Sequence, residues 1–137
     1  MILLDTNVIL ALLSPEERER RRVLEQWSRI RKQRLVLVSP VVIEVTHFLH
    51  KAYQLSAFSE LMDQMGVEYL PSENVVAWPD VVQWMMQYQQ HEPDYADAHL
   101  VLLSAAIDKA KVWTNDSEFR TIWRRPDGSP VPLAIKG

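Results

Sequence analysis

The sequence contains no cysteine and only three glycines among its 137 residues. The absence of cysteine excludes disulfide bonds, thiolate metal sites and a thiol nucleophile, and it suits a reducing compartment such as the cytoplasm. Three glycines are too few for a glycine-rich phosphate-binding loop. No apolar run approaches the ~18 residues needed to cross a membrane, and no basic segment precedes the first apolar run as it would in a signal peptide. We therefore expect a cytoplasmic protein without a membrane span.

A large excess of one charge is also missing. The formal net charge is −3, so the overall charge gives no sign of nucleic-acid binding. Apolar residues make up 47% of the chain and charged residues 24%, which is ordinary for a globular protein. The length suits one domain with a buried core, and no repeat or linker interrupts it. We expect a single domain over residues 1–137.

Short apolar runs alternate with longer segments of helical periodicity. The apolar runs predict strands at 2–5, 35–38, 67–70 and 111–114, and a last edge strand at 131–135. The helical spacing predicts helices at 7–13, from Ser14-Pro15 to about 30, from Ser39-Pro40 through 65, at about 74–90, at 96–109 and at about 117–124. Strands that alternate with helices predict an α/β fold whose mainly parallel sheet is covered on both faces.

Four acids lie where such a fold places a functional site. Asp5 follows the first strand and Asp116 follows the fourth, and the carboxyl ends of parallel strands meet at one edge of the sheet. Glu44 falls at the edge of the apolar stripe of its helix. Asp97 lies in the first turn of a helix that is otherwise apolar nearly all round, where an unpaired charge is costly to bury.

A divalent cation would explain why these four acids converge. Carboxylates that meet without basic partners repel one another, and their pKa values rise. Oxygen ligands suit Mg²⁺ or Mn²⁺. A metal held at the strand ends can polarise a phosphoryl oxygen and activate water. We therefore expect phosphodiester hydrolysis, with catalytic and metal-binding roles for Asp5, Glu44, Asp97 and Asp116.

Each acid also has a purely structural interpretation. Asp5 and Asp116 could cap the helices that follow them. Asp97 could be the third residue of a capping box begun by Asp94, where an acid also suits the helix dipole. Glu44 could reach solvent from the edge of its stripe. The joint pattern of four acids is what favours function.

Four stretches in order resemble the motifs of the PIN-domain family, and the resemblance covers essentially the whole chain. They are MILLDTNVIL, the glutamate within SPVVIEV, YADAHLVLLSAA and VWTNDSEF. The resemblance implies a three-layer α/β/α sandwich and a ribonuclease that depends on Mg²⁺ or Mn²⁺. The family's acids fall on the same four residues, Asp5, Glu44, Asp97 and Asp116. It also implies that Thr6, Asn7 and Asn115 orient these acids or contact the RNA.

Single-domain proteins of this family are mostly VapC-type toxins, so the resemblance implies an antitoxin partner and a homodimer. The segment VTHFLHKAY after Glu44 departs from the pattern common in toxins. Ile43 falls opposite the apolar stripe of its helix and is consistent with a partner surface on that side.

The segment 16–34 carries a local excess of four positive charges. Two interpretations of this segment are open. It is either a solvated helix face or a strip that contacts RNA phosphates, with Arg20, Arg21 and Arg22 at its centre. Two other functions stay open. A haloacid-dehalogenase-like phosphatase also begins with an aspartate after its first strand, but it needs a second aspartate where this chain has Asn7. A PIN fold that binds RNA or protein without cleavage is the other.

Overall fold

Four strands form one parallel sheet in the computed structural model, which describes residues 1–136. They are β1 (Ile2–Leu4), β2 (Leu35–Leu37), β3 (Glu68–Tyr69) and β4 (Lys111–Trp113). Their order across the sheet is β3-β2-β1-β4, and every pair is parallel. Gly137, the last residue of the expected single domain, lies outside the described residues.

Helices cover both faces of this sheet, which confirms the predicted three-layer α/β/α sandwich. Within residues 1–136 they are α1 (Thr6–Leu13), α2 (Glu17–Ile30), α3 (Ser39–Phe48), α4 (Ala52–Gln64), α5 (Trp78–Gln87), α6 (Tyr95–Ala106) and α7 (Glu118–Thr121). In the described part of the chain, no helix combines the length and the apolar character that a membrane crossing requires.

The centre of the sheet and the helix α6 form the core. All three residues of β1 and of β2 are buried, as expected for strands covered on both faces. Seven of the twelve residues of α6 are buried, as expected for a helix that is apolar on nearly all sides and lies at the centre of the fold. The edge strand β3 is exposed on both residues. The buried strand β1 therefore delivers the next residue, Asp5, from a rigid position.

The predicted start of the second helix at Ser14-Pro15 is wrong. Ser14 instead ends α1, since its amide donates to Ala11 O at 3.2 Å. Its hydroxyl accepts from the Glu16 amide at 3.1 Å, so the serine stabilises the turn between two helices rather than capping the second one. Helix α2 begins at Glu17 without a side-chain cap.

The single helix predicted from Ser39 through 65 is two helices. The chain leaves α3 after Phe48, and α4 begins at Ala52, where Gln54 Oε1 accepts from the Lys51 amide at 3.1 Å. Phe48, the last residue of α3, is 54% exposed. Gly66 ends this segment with a φ of +67°, a conformation that glycine adopts without a steric penalty.

Two further elements are shorter than predicted, and proline explains both. The helix expected at 74–90 begins only at Trp78, because Pro79 fits in a first turn but not in a helix interior. The expected strand 131–135 is reduced to a single parallel bridge between Val112 and Leu133. Pro130 and Pro132 have no amide hydrogen and cannot extend a ladder.

The register of the sheet sets the position of the site. Leu4 pairs with Trp113, and the Asp5 amide donates to Trp113 O at 3.0 Å. The residues that follow β1 and β4 therefore leave the sheet side by side at its carboxyl edge. The chain order reverses between these two strands, since β2 and β3 extend the sheet on one side of β1 and β4 lies on the other. Such a switch point opens the crevice in which parallel sheets bind ligands.

Candidate active site

Asp5 lies at the bottom of this crevice and is only 2% exposed. Its Oδ1 accepts from the Thr6 amide at 2.8 Å, and its Oδ2 accepts from Thr114 Oγ1 at 2.7 Å and Asn7 Nδ2 at 3.1 Å. Burial raises the pKa of Asp5 to about 6. The hydrogen bonds from Thr114 and Thr6 oppose this increase, and Asp94 and Asp116 add to it. Asp5 is thus both the cap of α1 and a buried carboxylate.

The turn after β4 is tied to the turn after β1. Asn7 uses both ends of its amide, because Nδ2 also donates to Thr114 Oγ1 at 3.2 Å and Oδ1 accepts from the Asn115 amide at 2.9 Å. The Asp116 amide donates to Thr114 Oγ1 at 3.0 Å, and Asp116 Oδ1 accepts from the Glu118 amide at 2.9 Å. Thr114 and Asn7 therefore fix Asp116 beside Asp5.

Glu44 reaches the same crevice from α3 and is partly buried. Burial raises the pKa of its carboxyl to about 7, and a hydrogen bond and repulsion from Asp94 and repulsion from Asp5 add to this increase. The Thr6 hydroxyl faces the Glu44 carboxyl and lowers the pKa. This hydroxyl is buried, yet it has no close hydrogen-bond partner among residues 1–136, so a bound ligand could engage it.

Asp97 lies in the first turn of α6 and forms the capping box anticipated from the sequence. The Asp97 amide donates to Asp94 Oδ1 at 2.8 Å, and Asp97 Oδ2 accepts from the Asp94 amide at 3.3 Å. Burial raises the pKa of Asp97 to about 9, and repulsion from Asp94, Asp5 and Asp116 adds to the increase. The hydrogen bond from the Asp94 amide lowers the pKa of Asp97, but by less than burial raises it. A cap role and membership of an acidic cluster are therefore not exclusive.

The structure brings all four expected acids to one edge of the sheet and adds Asp94 to them. No cation contributes to the pKa values of Asp5, Glu44 or Asp97. Among residues 1–136, however, no three acidic or imidazole groups meet closely enough to hold one ion as they stand. The carboxylates surround a shared space without converging on one point.

The chemistry of this donor set fits a divalent cation. Its members are carboxylates, the ligands that Mg²⁺ and Mn²⁺ prefer. The raised pKa values of Asp5, Glu44 and Asp97 indicate that the fold supplies no positive charge to compensate these carboxyls. The Thr6 hydroxyl is a further buried oxygen at the same place.

Comparison with protein families identifies the fold. The family model of the PIN domain matches residues 2–123. The chain belongs to the PIN-domain family. PIN domains are generally nucleases, and they generally use divalent metal ions. A comparison with curated proteins gives no match.

The residue two positions after Asp5 argues against the phosphatase alternative. The second aspartate that such a phosphatase needs is replaced by Asn7, whose amide is used to hold the two turns together.

Of the three arginines at 20–22, Arg21 and Arg22 line one shallow depression on α2, and Arg20 points elsewhere. Arg20 Nη1 donates to Ser14 O at 2.8 Å, which ties it to the turn before α2. Arg21 forms an exposed ion pair with Glu17 one turn earlier. Arg22 lies on the side of α2 that faces the turn after β4, in a cleft shared with Asp116.

A second, larger groove of about 900 Å³ opens beside Glu44 and Asp94, between α3 and the start of α6. Its walls are mainly apolar and aromatic and include Phe48 and Tyr95. Ile43 lines the same groove and is 69% exposed, as its position opposite the apolar stripe predicted. The acid crevice of this PIN domain is therefore open to a large ligand.

Two residues at the site were not assigned a role from the sequence. Thr114 holds both Asp5 and Asp116, and the signal for it is the repetition of a threonine and an asparagine around an acid after both strands, DTN at 5–7 and TND at 114–116. Asp94 was interpreted mainly as a cap. Its proximity to Glu44 follows from the packing of α3 against α6, which helical periodicity does not contain.

Proposed function

We propose that this PIN domain is an endoribonuclease that depends on Mg²⁺ or Mn²⁺ and uses water as the nucleophile. The observation that carries the proposal is the cluster of carboxylates at the switch point, in which Asp5, Glu44 and Asp97 have raised pKa values and no basic partner among the described residues. A fold would not retain such a cluster for stability alone, because uncompensated buried charge is costly.

Asp5, Glu44, Asp97 and Asp116 are the proposed ligands, directly or through water. When bound, the cation would polarise the scissile phosphate and lower the pKa of a water molecule. Asp5 is the most rigid of the four, because three hydrogen bonds fix it.

Neutral groups around the acids are the proposed contacts to RNA. The partly exposed Asn115 can reach a phosphate or sugar oxygen, whereas the buried Thr6 hydroxyl faces Glu44 and would orient this acid. Asn7 acts by position, because both ends of its side-chain amide are already engaged. Arg20, Arg21 and Arg22 stay candidate phosphate contacts, and the structure favours Arg22 because it shares a cleft with Asp116.

We further propose that the chain is the toxin of a toxin–antitoxin pair and that it acts as a homodimer in the cytoplasm. Resemblance to VapC-type proteins supports this assignment, and the apolar groove beside Glu44 is suited to a protein partner. A small gene for such a partner directly beside the gene for this chain would support the toxin role. A gene that stands alone would contradict it.

Cleavage of RNA by the purified protein tests the main proposal. The protein should cut single-stranded RNA in Mg²⁺ or Mn²⁺ and stop when EDTA is added. Asp5→Asn should keep the fold, since asparagine retains one acceptor oxygen, and should lower the rate by about 100-fold or more, because metal stabilisation of the transition state is worth several kcal/mol.

A binding module without catalysis is the second candidate, and one observation favours it: no three of the acids converge on a single point as they stand. The same assay separates the two. RNA binding without any cleavage in Mn²⁺ would support the binding module, while cleavage that survives EDTA or the Asp5→Asn change would contradict the metal mechanism.

A further inference from the structure

A polar cleft of about 400 Å³ continues from Asp116 along the side of α2. Helix α2 contributes Arg22, Glu25, Gln26 and Arg29 at successive turns, and Arg120 of α7 closes the opposite side. The residues after β4 form its inner end, next to the acid crevice. Three of the side chains around the cleft are therefore cationic, although the whole chain is acidic.

Two arginines of this cleft, Arg22 and Arg120, form no ion pair within residues 1–136. Arg29, in contrast, is held by Glu25 in a two-point pair at 3.0 and 2.9 Å. Trp113 Nε1 donates to Gln26 Oε1 at 2.9 Å, which orients the Gln26 amide between Arg22 and Arg29 on α2. The cleft thus combines an oriented amide with two arginines whose charge no described carboxylate pairs.

Arg120 lies across the cleft from α2. One of its guanidinium nitrogens donates to Ile135 O at 3.3 Å, which places its head group at the end of the cleft formed by the C-terminal segment. Guanidinium groups recognise phosphate with two parallel hydrogen bonds, and arginine is common where phosphates are bound for this reason.

We infer that this cleft holds the phosphodiester backbone of single-stranded RNA where it leaves the acid crevice, with Arg22 and Arg120 as its phosphate contacts. The inference rests on the proposed ribonuclease function and gives the substrate a path: past Asp116, between α2 and α7. It also divides the basic segment 16–34, because only the side of α2 that carries Arg22, Gln26 and Arg29 faces this path.

Binding of a short single-stranded RNA at several salt concentrations in EDTA tests the path without cleavage. Each phosphate contact on a single strand adds about 0.7 to the slope of log affinity against log salt, so R22Q with R120Q should lower the slope by about 1.4. R18Q with R31Q removes the same charge outside the cleft and is the control, for which the slope should not fall. A double variant with the slope of the control pair would overturn the inference.

Glu25 offers a variant that keeps every arginine. E25Q releases Arg29 from its ion pair, and RNA should then bind more tightly, since an exposed pair adds little to stability and its loss leaves the fold intact. Binding that stays the same or weakens would contradict the inference. If the protein fails these tests but cleaves RNA in Mn²⁺, the cleft proposal is wrong and the ribonuclease proposal stands. If the protein neither binds nor cuts RNA, both proposals are wrong.

Discussion

At the scale of single residues, the site is defined by charge that the fold does not neutralise. Asp97 is the extreme case, because its pKa is raised to about 9 by burial and by Asp94 and Asp5. Hydrogen bonds moderate the same effect at Asp5, where Thr114 and Thr6 hold the pKa to about 6. The difference follows from the number of donors that reach each carboxylate.

This difference predicts how pH acts on the metal-free protein. Between the ordinary pKa of 3.8 and about 9, folded Asp97 keeps a proton that the unfolded chain loses, so the folded state binds more protons. The free energy of unfolding should therefore fall as pH rises from about 4 to about 9. Asp97→Asn should remove this contribution and leave the protein as stable or more stable at pH 8.

Thermal melts in EDTA across this pH range, compared between the wild type and Asp97→Asn, measure the effect. Asparagine keeps the oxygen that accepts from the Asp94 amide, so the capping box is retained. The difference between the two proteins should grow with pH. A large loss of stability in the variant at every pH would show that Asp97 serves only as a capping residue.

At the scale of secondary-structure elements, the sequence predicts the strands and the central helix closely. Strand β1, strand β4 and helix α6 lie within two or three residues of their predicted bounds, because unbroken apolar runs mark buried elements. Asp5, Asp116 and Asp97 follow from these elements, since their positions at strand ends and in a first helical turn are local features. Glu44 lies on α3, whose beginning at Ser39 is predicted correctly but whose end is not.

The elements that differ from prediction are those with local breaks. The turn at Ser14 and the gap between α3 and α4 depend on hydrogen bonds to particular neighbours, which apolar periodicity does not report. The proximity of Asp94 to Glu44 and the direction of Arg22 depend on how helices pack. Packing angles and helix rotation are tertiary features, so the composition of the segment 16–34 cannot separate Arg22 from Arg21.

At the scale of the whole molecule, the parallel sheet presents one open edge with two different surfaces beside it. The apolar groove lies on the side of Glu44, and the cleft with Arg22 and Arg120 lies on the side of Asp116. The carboxylates of the candidate site lie between the groove and the cleft. This arrangement is consistent with the proposal that RNA binds on one side of the acids and a protein partner on the other.

The homodimer is a prediction at this scale. Light scattering should give twice the chain mass, because Ile43 is 69% exposed on a surface more apolar than a monomer of this size needs. Ile43→Arg should shift the protein to a monomer. Met86→Arg is the matched control, since Met86 is 66% exposed on α5, away from this groove, and should leave the dimer intact. A wild-type monomer would contradict the prediction.

The central claim is that the carboxylates are a binding site for a divalent cation, and proton release on binding tests it most directly. At pH 7 Asp97 and about half of Glu44 hold a proton in the metal-free protein, and metal binding needs deprotonated ligands. Calorimetric titration with Mn²⁺ in two buffers of different ionisation enthalpy should therefore show release of about one proton or more per bound ion. The account predicts this release in the wild type and a smaller one in Asp97→Asn. Binding of Mn²⁺ with no proton released, or no binding at all, would contradict it.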